Sequence, residues 1–187
     1  RGLGDVYKRQ PFGPSKRVQQ RIKNSFNHAC RYPYAYSDDL EKILAKKHGV
    51  DPESIIVTGG STEGLKITGL TFASNGGEII SGQPTFLAMM KFAEQWGASV
   101  NWVPVGADKG YDLDEIEKRI SLKTKLVFLC NPNNPTGTLV PAKKLVDFCN
   151  AASKKTIVFS DEAYYDFIDT PNYPSMVEAV KRGDDVI

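Results

Sequence analysis

Two polar clusters in this sequence each follow a short apolar run, and this arrangement most constrains the fold. Residues 130–137 read Cys-Asn-Pro-Asn-Asn-Pro-Thr-Gly and come directly after the apolar run 126–129. Residues 160–164 read Ser-Asp-Glu-Ala-Tyr and follow the apolar run 157–159. In an open α/β sheet, ligands bind just past the carboxyl ends of the strands. Either cluster alone is more typical of a turn or a helix cap, but together they indicate a site at one edge of a sheet.

Helical and extended patterns alternate along the chain. Short apolar runs predict strands, and apolar residues spaced three or four apart predict helices. The predicted strands are 55–57, 79–80, 100–105, 125–129 and 157–159, and the predicted helices are 15–26, 38–47, 61–72, 84–97, 112–120 and 141–152. This alternation is typical of a three-layer α/β fold, with a mainly parallel sheet and helices on both faces.

Composition excludes several classes of function. The net charge of +2 is too small to indicate a nucleic-acid partner. No apolar stretch is long enough to span a membrane, and no signal peptide is visible. Three widely spaced cysteines and two histidines share no metal-ligand spacing. These features predict a cytoplasmic protein with reduced thiols and no metal site, acting on small molecules.

A glycine-rich segment, residues 58–64, joins a predicted strand to a predicted helix and reads Thr-Gly-Gly-Ser-Thr-Glu-Gly. Glycines permit a tight backbone, and the first turn of a helix offers unpaired N–H groups to a phosphate. The segment lacks the Gly-Lys-Ser/Thr ending of a nucleotide P-loop and the G-x-G-x-x-G pattern of dinucleotide-binding folds. Taken alone, it is better explained as a plain strand–helix turn.

Asp161 lies two residues after the apolar run 157–159 and is followed by a second acid, Glu162. One interpretation is an aspartate that caps a helix or a loop. Another is the magnesium-binding strand of nucleotide hydrolases, which requires the glycine-lysine phosphate loop that is absent here. A third is a carboxylate facing a bound ligand.

Together, these three segments resemble the pyridoxal-phosphate-dependent aminotransferases of fold type I (class I/II), and most of all the histidinol-phosphate aminotransferase group. The resemblance implies the large domain of that fold, present only in part, and pyridoxal 5'-phosphate as cofactor. By position, the backbone of Ser61, Thr62 and Glu63 would hold the cofactor phosphate, although Thr62 replaces the usual aspartate.

The resemblance also implies contacts to the cofactor ring. Asp161 would face the pyridine nitrogen and raise its pKa. Asn134 and Tyr164 would both donate hydrogen bonds to the 3-oxygen, and Pro135 occupies a position where the family often has a cis peptide. Phe86, where tyrosine is usual, would stack on the ring, although a core phenylalanine at the start of a helix is nearly as good an interpretation.

A segment nearer the start, Arg31-Tyr32-Pro33, resembles one whose tyrosine reaches the phosphate of the partner subunit. If this role carries over, Tyr32 implies a homodimer with shared sites. The alternative is a loop tyrosine that packs under Pro33.

The ends of the chain lead to expectations about domains. Residues 1–10 match nothing in the family, so we expect a non-native segment, with a divergent arm as the alternative. Residues 11–50 would form the N-terminal arm and part of a small domain, and residues 51–187 an incomplete cofactor-binding large domain. The segment 184–187 resembles the approach to the strand that precedes the Schiff-base lysine, so this lysine is expected beyond Ile187 and the chain itself holds no catalytic residue.

These inferences predict transamination between an amino-acid-like donor and a 2-oxo acid or a phosphorylated keto compound, as in amino-acid biosynthesis. The chain is expected to be a fragment, truncated at both ends and inactive alone. Two alternatives stay open: a pyridoxal-phosphate-dependent decarboxylase of a phosphorylated amino acid, and a non-catalytic cofactor-binding fragment.

Overall fold

The computed structural model describes residues 12–32 and 34–187 and divides into two compact units. The first unit ends at Leu40, and the second runs from Glu41 to Ile187. The segment 1–10, predicted to be non-native, lies outside the described residues, as do Pro11 and Pro33. The predicted domain boundary after residue 50 stays a prediction.

The first unit contains the helix predicted from Ser15. Helix α1 spans Lys16–Ser25, and Ser15 caps it by accepting a hydrogen bond from the Val18 N–H at 3.3 Å. A short 3₁₀ turn, Phe26–His28, follows. Helix α2 spans Tyr34–His48, longer than the predicted 38–47, and its residues belong to both units.

The second unit alternates helices and strands as predicted. Its further helices are α3 Ser61–Ala73, α4 Ala88–Glu94, α5 Leu113–Arg119, α6 Ala142–Ala152 and α7 Val177–Lys181. Its strands are β1 Glu78–Gln83, β2 Ser99–Pro104, β3 Thr124–Cys130 and β4 Ile157–Asp161. The four strands form one sheet in the order β2-β1-β3-β4, and every pairing is parallel.

Successive side chains of each strand point to opposite faces of this sheet, and each face carries its own hydrophobic core. Ile79 and Phe128 belong to the core shared with α3 and α4, which we call the α3 face. Ile80 and Val127 belong to the core shared with α5, α6 and α7, which we call the α6 face. Helices therefore cover both faces of a parallel sheet, and the predicted fold class is confirmed.

Segment 55–57, predicted as a short buried strand, is not a strand in the structure. It follows a 3₁₀ turn, Pro52–Ser54, and Ile56 is 78% exposed. A strand requires a hydrogen-bonded neighbour, and no strand among the described residues pairs with this segment. The prediction was wrong because the apolar pattern indicates a tendency to be buried but supplies no partner.

The helix predicted from Pro84 begins only at Ala88. Two of the residues before Ala88 are hydrogen-bonded to the loop that follows β3. Asn133 Nδ2 donates to the Pro84 carbonyl at 3.0 Å, and Thr85 Oγ1 donates to Asn133 Oδ1 at 2.9 Å. Tertiary hydrogen bonds therefore delay the helix by one turn.

The last residues of the chain extend the sheet beside β4. Val186 bridges to Val158 in parallel, and the Ser160 N–H donates to the Ile187 carbonyl at 2.8 Å. The segment expected to approach a strand is thus paired as an extended segment. Within the described ranges, no helix combines the length and apolarity needed to cross a membrane.

Candidate active site

The carboxyl ends of three neighbouring parallel strands, β1, β3 and β4, meet at one edge of the sheet. They end at Gln83, Cys130 and Asp161, and the loops that follow carry Phe86, Asn134 and Tyr164. The sheet thus brings the predicted ring-binding residues to a single edge, as the two polar clusters indicated.

Asp161 pairs in register with Cys130, and the Asn131 N–H donates to its carbonyl at 2.9 Å. Alternation along β4 places its side chain on the α3 face with Ile157 and Phe159. The side chain is buried, and Oδ1 accepts a hydrogen bond from the Ala163 N–H at 3.1 Å. The turn-forming role that the sequence left open is therefore present, on a carboxylate that is also buried at the end of a strand.

Asn134 and Tyr164 lie side by side, although 30 residues separate them in sequence. Asn134 Nδ2 is 3.4 Å from the Tyr164 hydroxyl, to which it donates. The Asn134–Pro135 bond is cis, as expected, and so is Asn131–Pro132. With this hydrogen bond made, the Asn134 amide keeps a second N–H and the Tyr164 hydroxyl keeps its proton, so both groups can still donate to a further acceptor.

The start of the Asn-rich loop is fastened by Asn131, which is almost fully buried. Its Oδ1 accepts from the Val140 N–H at 2.9 Å, and its Nδ2 donates to the Tyr173 hydroxyl at 2.8 Å. Tyr173 in turn donates to the Val140 carbonyl at 2.6 Å. Burial raises the pKa of the Tyr173 hydroxyl, so the tyrosine stays a neutral donor.

The middle of the same loop is fastened by Asn133 through a second network. Asn133 Oδ1 accepts from Thr85 Oγ1 at 2.9 Å and from the Tyr111 hydroxyl at 2.7 Å. Asn133 Nδ2 also donates to Thr136 Oγ1 at 2.8 Å within the loop. Sequence reasoning missed Tyr111, Asn133 and Thr85, and the only available signal was that two of them adjoin predicted site residues.

Phe86, next to Thr85, packs half-buried against the core of the α3 face. This core includes Phe128 and Phe159, whose rings stack with their centroids 5.8 Å apart. Phe86 thus lies at the edge of the sheet that carries Asp161, and both interpretations of this residue, core and ring-facing, are compatible with the position.

The glycine-rich segment leads into α3, and its three predicted residues, Ser61, Thr62 and Glu63, form the exposed first turn. The Glu63 N–H makes the first helical hydrogen bond, to the Gly60 carbonyl at 3.0 Å, so the N–H groups of Ser61 and Thr62 precede it. The Glu63 carboxylate accepts from the Gly59 N–H. Gly60 adopts a φ of 99°, which favours glycine.

This turn lies on the same face of the sheet as Phe86 and Asp161, two of the predicted ring contacts. Leu65, one turn further along α3, belongs to the core against which Phe86 packs. Tyr32, the remaining predicted contact, belongs to the first unit, where it is exposed.

The amino-acid sequence model of one family, described as "Aminotransferase class I and II", matches residues 6–187, so the match begins inside the segment 1–10 that was expected to match nothing in the family. The chain belongs to this aminotransferase family. Histidinol-phosphate aminotransferase 1 of Bacillus cereus (strain ATCC 10987 / NRS 248) is 32% identical over 185 residues, which cover 97% of this chain and 50% of the relative. The predicted family is therefore confirmed, and pyridoxal 5'-phosphate is the cofactor of that family.

Solved aminotransferase structures share the fold. A provisionally named histidinol-phosphate aminotransferase from Erwinia carotovora atroseptica SCRI1043 has a TM-score of 0.86 at 27% identity, covering 94% of this chain and 52% of that one. The histidinol-phosphate aminotransferase of Sinorhizobium meliloti was solved in complex with pyridoxal-5'-phosphate. It has a TM-score of 0.75 at 26% identity, and the match covers 82% of this chain and 42% of that one. The chain thus spans about half the length of the aminotransferases it matches.

Proposed function

We propose that the whole protein to which this chain belongs is a pyridoxal-phosphate-dependent aminotransferase of the histidinol-phosphate aminotransferase kind. The observation that carries the proposal is the pairing of Asn134 with Tyr164 at the strand edge where Asp161 is buried. Membership of the aminotransferase family and the relatives named histidinol-phosphate aminotransferase support it.

The donor set at this edge fits the chemistry of pyridoxal 5'-phosphate. The cofactor has a basic ring nitrogen, an ionisable ring oxygen, a flat aromatic ring and a phosphate. The chain offers, in the same order, the buried carboxylate of Asp161, the donor pair of Asn134 and Tyr164, the ring of Phe86, and the first turn of α3. When bound, the cofactor supplies an electron sink for cleaving bonds at the α-carbon of an amino acid.

Each residue contributes orientation or electrostatics. The carboxylate of Asp161 favours a proton on the ring nitrogen, because an opposite charge stabilises the charged form. Asn134 and Tyr164 donate to the 3-oxygen and stabilise its negative charge. Phe86 covers one side of the ring and excludes water from it. The backbone N–H groups of Ser61 and Thr62 hold the phosphate, assisted by the positive end of the α3 dipole, whereas the Glu63 N–H is already bonded to the Gly60 carbonyl.

The substrates we propose are an amino-acid-like donor and a 2-oxo acid or phosphorylated keto compound as acceptor, within amino-acid biosynthesis in the cytoplasm. We further propose a homodimer, in which Tyr32 reaches the cofactor phosphate of the partner subunit. The 187-residue chain alone should be inactive, because none of its lysines follows a strand in a Ser/Thr-rich Ser-Lys segment.

The experiment that tests this proposal compares Asp161→Asn with Asp169→Asn in the whole protein supplied with cofactor. Both substitutions replace an aspartate by asparagine and so make the same change in charge. Asp169 serves as the control because it is exposed and lies eight residues further on. Amino transfer is followed by chromatography of the aminated product. We expect Asp161→Asn to lower kcat/KM by about a hundredfold or more, since removing one preorganised electrostatic contact typically costs that much, and Asp169→Asn to leave it unchanged.

Two outcomes would contradict the proposal. Release of carbon dioxide from a phosphorylated amino acid without amino transfer would make the protein a decarboxylase. Full activity of Asp161→Asn would remove Asp161 from the ring site. For the chain alone, borohydride reduction in the presence of the cofactor should label no single lysine, and peptide mapping to one unique lysine would overturn its predicted inactivity.

A further inference from the structure

A tyrosine outside the predicted site, Tyr111, joins the two loops that carry the ring-binding residues. It follows β2 and precedes α5, and its ring packs on the core of the α6 face. A β-carbon on Gly82 would overlap this ring, so Tyr111 lies directly against the backbone of β1. Because Gly82 has no side chain, the Tyr111 ring can occupy this position.

The Tyr111 hydroxyl contacts three groups at the end of the sheet. It lies 2.7 Å from Thr85 Oγ1 and donates to Asn133 Oδ1 at 2.7 Å. It also accepts from the Cys130 N–H at 3.2 Å. Thr85 adjoins Phe86, Asn133 adjoins Asn134, and Cys130 pairs in register with Asp161, so one oxygen contacts a neighbour of three of the four predicted ring contacts.

The protons in this network can be assigned consistently. Thr85, Tyr111 and the Asn133 carbonyl are three oxygens with two protons, so two of their three contacts are hydrogen bonds at any moment. The Cys130 N–H supplies a further donor to the phenol oxygen. Thr85 and Asn133 are almost fully buried, which makes the loss of a partner costly.

The phenol keeps its proton throughout the pH range in which proteins are active. Burial raises the pKa of Tyr111 far above its usual value, the hydrogen bonds with Thr85 and Cys130 lower it by less than burial raises it, and the nearby charge of Asp161 makes the smallest contribution, which raises it. Tyr111 therefore acts as a neutral hydrogen-bonding group and not as an acid or base.

We propose that Tyr111 is a positioning residue, which fixes Phe86 and Asn134 relative to each other through Thr85 and Asn133 and so sets the hydrogen bond from Asn134 to the cofactor's 3-oxygen. This role rests on the proposed function, because it presupposes that pyridoxal 5'-phosphate binds at this edge. Tyr111 itself touches no reacting atom.

The test uses Tyr111→Phe in the whole protein, with two readouts other than activity. The first is the pH midpoint of the absorbance change of the bound cofactor. Donors to the 3-oxygen favour its ionised form, so a misplaced Asn134 raises the midpoint. We expect a rise of about half a unit for Tyr111→Phe and about one unit for Asn134→Ala, given the strength of one hydrogen bond. The second is amide hydrogen exchange of residues 131–138 without cofactor, expected to rise about tenfold in Tyr111→Phe.

Three further variants separate positioning from general loss of stability. Thr156→Val removes a buried hydroxyl, which donates to the Thr124 carbonyl at 3.2 Å at the opposite end of the sheet, and should leave the midpoint unchanged. Thr85→Val should raise the midpoint as Tyr111→Phe does. Thr85→Ser retains the hydroxyl and should keep the pH midpoint of the unaltered protein.

The outcomes distinguish the two proposals. If the cofactor binds and Asp161→Asn abolishes activity, but Tyr111→Phe changes neither midpoint nor exchange, the positioning role is overturned and the proposed function stands. The role is also overturned if Thr156→Val shifts the midpoint as much as Tyr111→Phe. If the unaltered protein binds no pyridoxal 5'-phosphate, the proposed function fails, and the positioning role toward the cofactor fails with it.

Discussion

The two loops proposed to hold opposite ends of the cofactor are built differently. In the Asn-rich loop, 131–137, buried side chains hold the backbone in place, because Asn131 and Asn133 each make hydrogen bonds to groups on other segments. In the glycine-rich loop, 58–60, the corresponding contacts are local. Thr58 Oγ1 donates to the Gly60 carbonyl at 2.9 Å, and Glu63 accepts from Gly59.

This difference matches the two tasks. A ring oxygen and a ring nitrogen require donors and charges at fixed positions, so the loop near them is preorganised by a buried network. A phosphate accepts hydrogen bonds from any suitably directed N–H group, so backbone geometry suffices. The replacement of the usual aspartate by Thr62 is therefore compatible with phosphate binding, whereas a change at Asn133 would not be neutral for the ring.

The largest effect that the comparison predicts is on stability, for Asn131→Ala. The substitution removes the acceptor of the buried Val140 N–H and the amide donor to Tyr173. We expect the free energy of unfolding to fall by about 2–3 kcal/mol, because buried polar groups lose their partners. Urea unfolding followed by circular dichroism measures this change.

Asn150→Ala is the matched control for Asn131→Ala. Asn150 Oδ1 accepts from Arg182 in a solvent-exposed contact at 2.8 Å, and we expect a change within about 0.5 kcal/mol. Equal losses in both variants would contradict the distinction between a buried loop network and surface hydrogen bonds.

A second prediction concerns the core that supports the Asn-rich loop, which contains Val140, Tyr173 and the buried thiol Cys149. Burial and, to a smaller extent, the charge of Glu162 raise the pKa of Cys149 from 9.0 to about 12. Above pH 9 the unfolded chain releases this proton while the folded chain retains it, so stability is lost as pH rises. One such group lowers the free energy of unfolding by about 1.4 kcal/mol per pH unit above the unfolded pKa.

Unfolding by urea at pH 8, 9 and 10, with a reducing agent present, measures this dependence. Tyr111 and Tyr173, whose pKa values are also raised from 10.0, contribute mainly above pH 10, so between pH 9 and 10 the thiol has a larger effect than either tyrosine. The Cys149→Ala variant should lose most of the slope in that window. An unchanged slope would show that Cys149 is not the group responsible.

The sequence predicted the strands that end at the site because their signals are local. Short apolar runs mark β3 and β4, and the polar residues after them lie at the edge where ligands bind in this class of fold. The family resemblance added the roles of Asn134, Asp161 and Tyr164, which stay predictions, although the structure brings all three to that edge.

Contacts between distant residues were not predictable in this way. Tyr111 approaches Asn133 across 22 residues, and its ring occupies space that a side chain at Gly82 would fill. The strand predicted at 55–57 was wrong for a related reason. Its local pattern is that of a strand, but strand pairing depends on a neighbour that the pattern does not specify. In both cases the local pattern did not specify the partner, and in segment 55–57 it also predicted burial where the structure has Ile56 exposed.

The smallest effects are expected in the glycine-rich segment, residues 58–64, where Gly60→Ala and Gly64→Ala should differ in sign. Gly60 has a φ of 99°, and a β-carbon there would meet nothing within 4 Å, so its cost is conformational and about 1 kcal/mol. Gly64 lies within α3, and its β-carbon would stand 3.7 Å from Thr58 Oγ1, an ordinary contact. Alanine there should stabilise by about 0.5 kcal/mol, since glycine costs more entropy in a helix. Thermal unfolding of the two variants measures both changes, and a loss of several kcal/mol at Gly60 would mean that this loop, too, is held by a buried network.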